Sequence, residues 1–334
     1  MRTGIAIAGN LIVDFVKEID AFPQQGMLGN IRRVEKSIGG CVPNTLIDLS
    51  KIDGTLKLCA YGRVGGDDNG RFIIDTLNQQ GIATAGIITD ENAVTSFTDV
   101  MFSLADNTRT FFHSRGANAV FDVADIDFSK MNARFFHIGY ALLLDRFDAP
   151  DAQYGTMMAR ALHMAQQHGL KTSMDVVSES GDRFARVVAP SLKYCDYLII
   201  NEVEASMICG LPVRKDGALS EALLKQVCQA LIDKGVGEWA VIHAPEASCA
   251  MDANGGGFTF EPSLNLPPGY IKGTVGAGDA FCAGMLYAFY QGYDIKTALK
   301  IGAGAAACCL SSLNAVDGMQ SIEGIREVIT RYQP

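Results

Sequence analysis

From residue 135 to residue 243, apolar runs of strand length alternate with longer stretches of helical spacing. The pattern predicts strands over 135–139, 172–177, 196–200 and 238–243. It predicts helices over 152–168, 183–193, 202–209 and 220–234. Few folds accept such a rhythm. Strands joined through helices run parallel, and a parallel sheet carries helices on both faces. Ligands then gather in the loops at the C-terminal strand ends. Here those loops carry Asp175, the run Asn201-Glu202-Val203-Glu204, and His243. His243 alone reads more simply as a loop or partly buried histidine than as a catalyst.

The N-terminal third is less regular. Residues 4–13 read as a buried strand with a turn at Gly9-Asn10, and Asp14 follows directly. That carboxylate is either a surface turn residue or a ligand group at a strand end. Gly39-Gly40 leads into Cys41-Val42-Pro43-Asn44 and a helix that stops near Gly54. Pro43 suits a first helical turn, and Asn44 offers both a donor and an acceptor. A strand over 56–62 precedes the glycine-dense, acidic stretch 62–70 and a helix to Gly81. By itself that stretch is a strand–loop–helix junction. Residues 94–115 alternate with period two and turn at Asp106-Asn107, as a hairpin does. Together with 15–37, this hairpin is expected to form a small separate sheet.

Residues 272–284, Lys-Gly-Thr-Val-Gly-Ala-Gly-Asp-Ala-Phe-Cys-Ala-Gly, carry the chemistry. Gly276-Ala277-Gly278 reads as a tight turn that opens a helix running to about Tyr290, with Asp279 in its first turn. Small residues let a ligand approach the backbone. Free N–H groups and the helix dipole at such a start favour phosphate. An Asp is favoured there by the dipole alone, but it could also take a proton from a hydroxyl during phosphoryl transfer. No Gly-Lys-Ser/Thr follows, so this is not a Walker loop. Phe281 stands where a dinucleotide fingerprint needs a third small residue. Further on, residues 302–309 are almost all small and could leave a flat slot beside the turn.

A net charge of −9, with no basic run, argues against nucleic-acid binding. Nine cysteines show no metal-ligand spacing and lie mostly in apolar runs, as buried thiols of a reducing compartment do. No stretch has the length and apolarity of a membrane span, and the N-terminus lacks a signal-peptide layout. The expectation is a cytoplasmic protein with no membrane contact, built as one α/β domain over 1–334.

Four motifs together carry a family resemblance: Gly39-Gly40…Asn44, Gly62-x-Val64-Gly65-x-Asp67-x-x-Gly70, Asn201-x-x-Glu204 and Gly276-Ala277-Gly278-Asp279. In order and spacing they resemble the ribokinase-like, PfkB-type carbohydrate kinases over essentially the whole chain. The resemblance implies a doubly wound α/β/α sandwich with a small β-sheet lid. It implies ATP-dependent phosphorylation of a sugar hydroxyl with Mg²⁺, and pairing of two copies through the lid. It casts Asp279 as general base and Gly276, Ala277 and Gly278 as an anion hole. Asp14, Gly40 and Asn44, with Asn10 and Arg115, would bind the sugar. Asn201, Glu204, His243, Thr274 and Ala303 would face the nucleotide, Glu204 reaching Mg²⁺ through water.

Several positions depart from the family pattern. Gly273-Thr274-Val275 stands where many members have Asp-Thr-Thr, whose Asp helps to hold a monovalent cation. The expectation is therefore an activity indifferent to sodium or potassium. After the 238–243 strand, the family's Lys-x-Gly-x-x-Gly is replaced by His243-Ala244-Pro245-Glu246-Ala247-Ser248. The adenine-side Ala-Asn-Ala is replaced by Gly302-Ala303-Gly304. Ile12 and Cys41 replace the Asn and Lys of ribokinases proper, which points away from ribose. Two alternatives stay open. One is a nucleoside kinase of the same fold, with Phe102, Phe111 and Phe112 as pocket walls. The other is a sugar- or nucleotide-binding protein without turnover, which Asp279 argues against.

Overall fold

The structure is a computed structural model describing residues 2–179 and 181–334. Its first strand, β1 (Ile5–Gly9), sends Ile5 and Ile7 into one hydrophobic core and Ala6 and Ala8 into another. A strand alternates its side chains across the sheet, so apolar residues at every position mean that both faces are covered.

The chain continues through β2 (Ile12–Ile19), β3 (Ile31–Gly39), α1 (Cys41–Ile52), β4 (Leu58–Gly65), α2 (Asp68–Gln79) and β5 (Ala83–Asp90). Then come β6 (Phe97–Ser103), β7 (Thr108–Ser114) and β8 (Phe135–Ala141). Short strands β9 (Pro150–Asp151) and β10 (Gly155–Thr156) lead into α3 (Met157–Gln167), β11 (Lys171–Val176), β12 (Tyr197–Asn201) and α4 (Glu202–Cys209). A second short pair, β13 (Arg214–Lys215) and β14 (Ala218–Leu219), precedes α5 (Glu221–Asp233) and β15 (Trp239–His243). The hairpin β16 (Ala247–Asp252) and β17 (Phe258–Pro262) is followed by α6 (Ala277–Gln291), α7 (Ile295–Leu310) and α8 (Ile322–Tyr332).

Nine strands form the main sheet in the order β17-β16-β15-β12-β11-β8-β1-β4-β5. Pairings are parallel from β15 to β5, and the β16–β17 hairpin adds an antiparallel edge. Helices α1, α2, α6, α7 and α8 bury one face, and α3, α4 and α5 the other. The result is the three-layer α/β/α sandwich that the β-α rhythm predicts. A separate four-stranded sheet, β3-β2-β6-β7, stands beside it as a lid.

The lid is larger than the alternation alone indicates. It begins at Ile12, so Asp14 belongs to the lid and not to the end of a core strand. Residues 152–156 turn instead of starting a helix. Asp151 accepts the N–H groups of Gln153 and Tyr154, and Thr156 caps α3. Residues 184–194 form a π turn and a 3-10 turn, because Pro190 cannot donate inside an α-helix. The stretch 62–70 is indeed a junction. Asp67 caps α2 through Gly70 N–H at 2.8 Å and accepts Thr95 N–H at 2.8 Å. One carboxylate thus ties the core to the root of the lid hairpin.

Among the described residues no helix is long and apolar enough to cross a membrane. All nine cysteines are free. Leu28, Ile31, Val34, Phe111 and Phe112 are large apolar side chains exposed on the lid and its connections.

Close packing of α6 on α7 seats the glycine turn. A Cβ on Gly284 would come within 2.9 Å of the Gly302 Cα and 3.0 Å of the Ile301 carbonyl oxygen. Both are backbone atoms that cannot swing aside. Gly284→Val is expected to cost about 1–3 kcal/mol through overpacking, although valine is the better helix former. Urea denaturation followed by circular dichroism checks this, and an unchanged midpoint would mean that the contact carries no strain.

Candidate active site

Helix α6 starts at Gly276, whose φ of 81° is left-handed and whose side-chain space is closed by Ala315. No side chain caps this end. The Ala277 N–H points to the Thr274 carbonyl at 3.4 Å, and the Ala280 N–H closes the first turn on Gly276. Among the described residues, the Gly278 and Asp279 N–H groups have no acceptor. The Gly276 N–H has no acceptor among the described residues either, so these three are the open donors of the turn, while the Ala277 N–H is turned to Thr274.

Asp279 is 6% exposed at the floor of a cleft of about 700 Å³. Tyr140 Oη donates to its two oxygens at 2.7 and 2.8 Å, and Asn44 Nδ2 donates to Oδ2 at 2.9 Å. Burial, then the nearby Asp175 charge, pushes its pKa up to about 6, against the pull of those hydrogen bonds. Tyr140 keeps its proton, since burial and the carboxylates around it raise its pKa further.

The same cleft is lined by Gly276, Gly278, Thr274, Asn201, Glu204 and His243. Glu204 accepts from Ser178 Oγ at 2.7 Å, Asn201 Nδ2 at 2.8 Å and Asn201 N–H at 3.0 Å. The Asn201 side chain caps Glu204 N–H in return. The spacing Asn-x-x-Glu is thus a capping box as well as a cleft feature. Burial raises the Glu204 pKa to about 7. His243 stacks on Phe281, centroids 4.7 Å apart, and desolvation lowers its pKa to about 4. It is neutral at pH 7. Ala303 sits on α7 and does not line this cleft.

A second cavity, of about 490 Å³, lies between the lid and the 271–275 and 313–315 segments. Asp14 lines it, its pKa raised to about 6 by burial, with a hydrogen bond from Thr98 pulling the other way. Phe111, Thr274 and Val275 belong to both cavities and join them. Phe102 and Phe111 are walls here, while Phe112 is not among them. Gly40 is the N-cap of α1 with φ 90°, placed where a Cβ would press on the Asn10 carbonyl.

Of the sugar-side candidates only Asp14 lines a cavity; Gly40 and Asn44 do not, though Asn44 reaches Asp279, and the other two lie elsewhere. Asn10 is fully buried, donating to the Leu143 carbonyl and accepting Tyr140 N–H at 3.0 Å. It holds the segment that presents Tyr140. Arg115 pairs with Asp145 at 2.6 Å and lines neither cavity. Tyr140 itself escaped the sequence reading, which ended the strand at 139. Its position at the C-terminal end of a core strand was the available signal.

The family described as pfkB family carbohydrate kinase matches residues 2–322 of this chain. A 5-dehydro-2-deoxygluconokinase of Geobacillus thermodenitrificans is 26% identical over 302 residues, covering 88% of this chain and 84% of the relative. Among solved structures, ribokinase from Thermotoga maritima superposes with a TM-score of 0.80 at 17% identity, covering 98% and 99% of the two chains. Arabidopsis thaliana ribokinase complexed with ribose and ATP gives 0.79 at 20%, with the same coverage. At these identities the structural matches establish the fold.

A pKa raised in the folded state makes ionisation of Asp279 a burden on folding. The unfolded carboxyl titrates near 3.8 and the folded one near 6. Stability is therefore fully present below the unfolded value and falls as pH climbs to about 6. Asp279→Asn is expected to stabilise the free protein at pH 7.5 by on the order of 2–3 kcal/mol. The gain should shrink as pH is lowered towards 4. Thermal melts of both proteins across that range check the sign, and a gain independent of pH would contradict the titration.

Proposed function

The chain belongs to the pfkB family of carbohydrate kinases, phosphotransferases with an alcohol group as acceptor, and we propose that Asp279 is its general base. The observation that carries this reading is the placement of one buried carboxylate beside the open N–H groups of Gly278 and Asp279, in a single cleft. A base with a pKa near 6 is ionised at neutral pH yet still basic enough to accept a hydroxyl proton. Tyr140 and Asn44 fix the orientation of the carboxylate. An acceptor hydroxyl replaces Tyr140 as donor to one Asp279 oxygen and gives up its proton there. The open N–H groups stabilise charge on the transferring phosphoryl oxygens.

ATP with Mg²⁺, when bound, supplies the phosphoryl group and screens its charge. The cleft suits them. The uncapped α6 terminus offers donors, and a Cβ on Gly278 would stand 3.7 Å from the His243 ring, so this glycine keeps the approach narrow and open. Both Glu204 oxygens already accept protein hydrogen bonds, so Glu204 would meet a metal's water shell and not the ion. Neutral His243 offers a stacked ring edge in place of a positive charge.

Under the lid, Asp14 offers an acceptor to sugar hydroxyls; Asn44 reaches the site through Asp279, and among the described residues its buried Oδ1 has no hydrogen-bond partner. Arg33, Arg109 and Lys272 line that cavity too. Glu18 and Glu35 line it as well and pair with Arg33, so Arg109 and Lys272 are the cations left for an acidic sugar, in keeping with the gluconate-type name of the relatives. A 5-dehydro-2-deoxygluconate-type acid therefore heads the acceptor list, ahead of neutral hexoses, pentoses and nucleosides.

A coupled ADP-release assay over that list tests the reading. One acceptor should give turnover that declines below pH 6, as the base becomes protonated. Asp279→Ala should lower kcat by at least about a thousandfold, with acceptor binding by calorimetry nearly unchanged. Retention of a tenth of the wild-type rate would remove Asp279 from the role of base. With Gly273 in place of a carboxylate, turnover should be the same in sodium and in potassium at equal ionic strength; strong potassium activation would refute that.

A further inference from the structure

Beneath the base lies a cluster that the transfer reaction does not use. His137 on β8, Asp175 at the end of β11 and Cys282 on α6 converge, their ligand atoms all within 4.8 Å of one another. His137 Nε2 is 3.6 Å from Asp175 Oδ2 and 3.9 Å from Cys282 Sγ. The other ring nitrogen, Nδ1, is 3.0 Å from Ser173 Oγ, its cross-strand neighbour. That contact orients the imidazole and leaves Nε2 facing the other two groups. Asp175 is 6% exposed, and among the described residues its Oδ1 has no hydrogen-bond partner. A buried carboxylate oxygen without a donor is costly unless something else satisfies it.

We propose that His137, Asp175 and Cys282 form an inhibitory binding site for a zinc-class divalent ion. The donor set is one imidazole, one carboxylate and one thiolate, which is the chemistry of a borderline-soft metal and not of Mg²⁺. Tetrahedral coordination at about 2.0–2.3 Å from the metal puts ligand atoms about 3.3–3.8 Å apart. The His137 separations already lie within a few tenths of an ångström of that. Asp175 and Cys282 also line the 700 Å³ cleft, which supplies an entry path and leaves the fourth position to water. Binding converts the Cys282 thiol to a metal-bound thiolate and releases its proton to water.

Inhibition follows from where the ligands stand. Cys282 is three residues after Asp279, on the same face of α6. A bound ion pins this first helical turn to β8 and β11 and places a dipositive charge beside the base. A carboxylate so close to a cation is a poorer proton acceptor.

Cobalt(II) reports on such a site directly. Titration of the purified full chain should give a thiolate-to-cobalt charge-transfer band, with visible bands of four-coordinate intensity, saturating at one equivalent, and zinc should abolish them. Cys282→Ser should lose the charge-transfer band, while Cys228→Ser, in the separate buried Cys228–Cys249 pair, should keep it. If Cys282→Ser does not fold, Asp175→Asn retains the thiolate and should weaken cobalt binding by at least about tenfold. No band in the wild type, a band that survives Cys282→Ser, or unchanged affinity in Asp175→Asn overturns the site. With the acceptor found in the ADP-release assay, turnover in excess Mg²⁺ should fall with the same zinc dependence; undiminished turnover at full occupancy overturns the inhibition. The cobalt measurement needs no acceptor, so its failure and a failure of the proposed kinase chemistry are distinguishable.

Discussion

The structure turns on a carboxylate placed where water cannot reach it freely. Asp279 sits inside the first turn of α6, with Tyr140 from the core sheet and Asn44 from α1 as its donors. Those contacts draw three elements to one point. An unpaired charge in that position would be expelled or neutralised. Two hydrogen bonds and the α6 dipole keep it ionisable, while Asp175 and burial keep its pKa near 6. The balance is local, and it requires α6 to start within reach of the β8 and β11 ends.

That requirement explains the run of small residues behind the site. Gly284 and Gly302 let α6 and α7 approach until backbone meets backbone, and Gly302 in turn lies against Phe281. Phe281 carries the stacked His243 ring at the end of β15. A bulkier residue in this chain of contacts would move the helix start, and with it the open N–H groups and the Asp279 carboxylate. Gly302 and Gly304 are taken up by this packing, Gly302 against Phe281 and Gly304 against Ile325 and Ile329, while Ala303 between them stays partly exposed and does not line the cleft.

Much of this was legible in the sequence because it rests on local rules. Period-two and helical patterning locate the core strands and most helices, and Gly276-Ala277-Gly278-Asp279 marks the helix start with its carboxylate. Legibility stops where a residue's partner is remote in the chain. Asn10 looks like a free turn side chain, but its hydrogen bonds go to residues more than a hundred positions away. Tyr140 and Asp175 are marked only by their strand-end positions and His137 by nothing, and they meet Asp279 and Cys282 only through the parallel sheet. The β16–β17 hairpin was missed although Asn254-Gly255 between its strands is a hairpin turn signal in its own right.

The acidic groups around the cleft set stability against activity. Asp14 and Asp279 titrate near 6 and Glu204 near 7, each raised first by burial. Each contributes most to the fold below its unfolded pKa and progressively less up to its folded one, so ionising the site strains it. In the role proposed for Asp279 a protonated carboxyl could not accept a hydroxyl proton, so the state that role needs is the ionised, strained one. Asp48 shows the other resolution. Fully buried on α1 with neither oxygen hydrogen-bonded, it is pushed far up by burial and keeps its proton, which suits a residue with no proton to accept. What separates the two aspartates is the supply of donors: Tyr140 and Asn44 stand beside Asp279, and nothing comparable stands beside Asp48. Donor supply, and not burial, decides which carboxylate in this core can do chemistry at neutral pH.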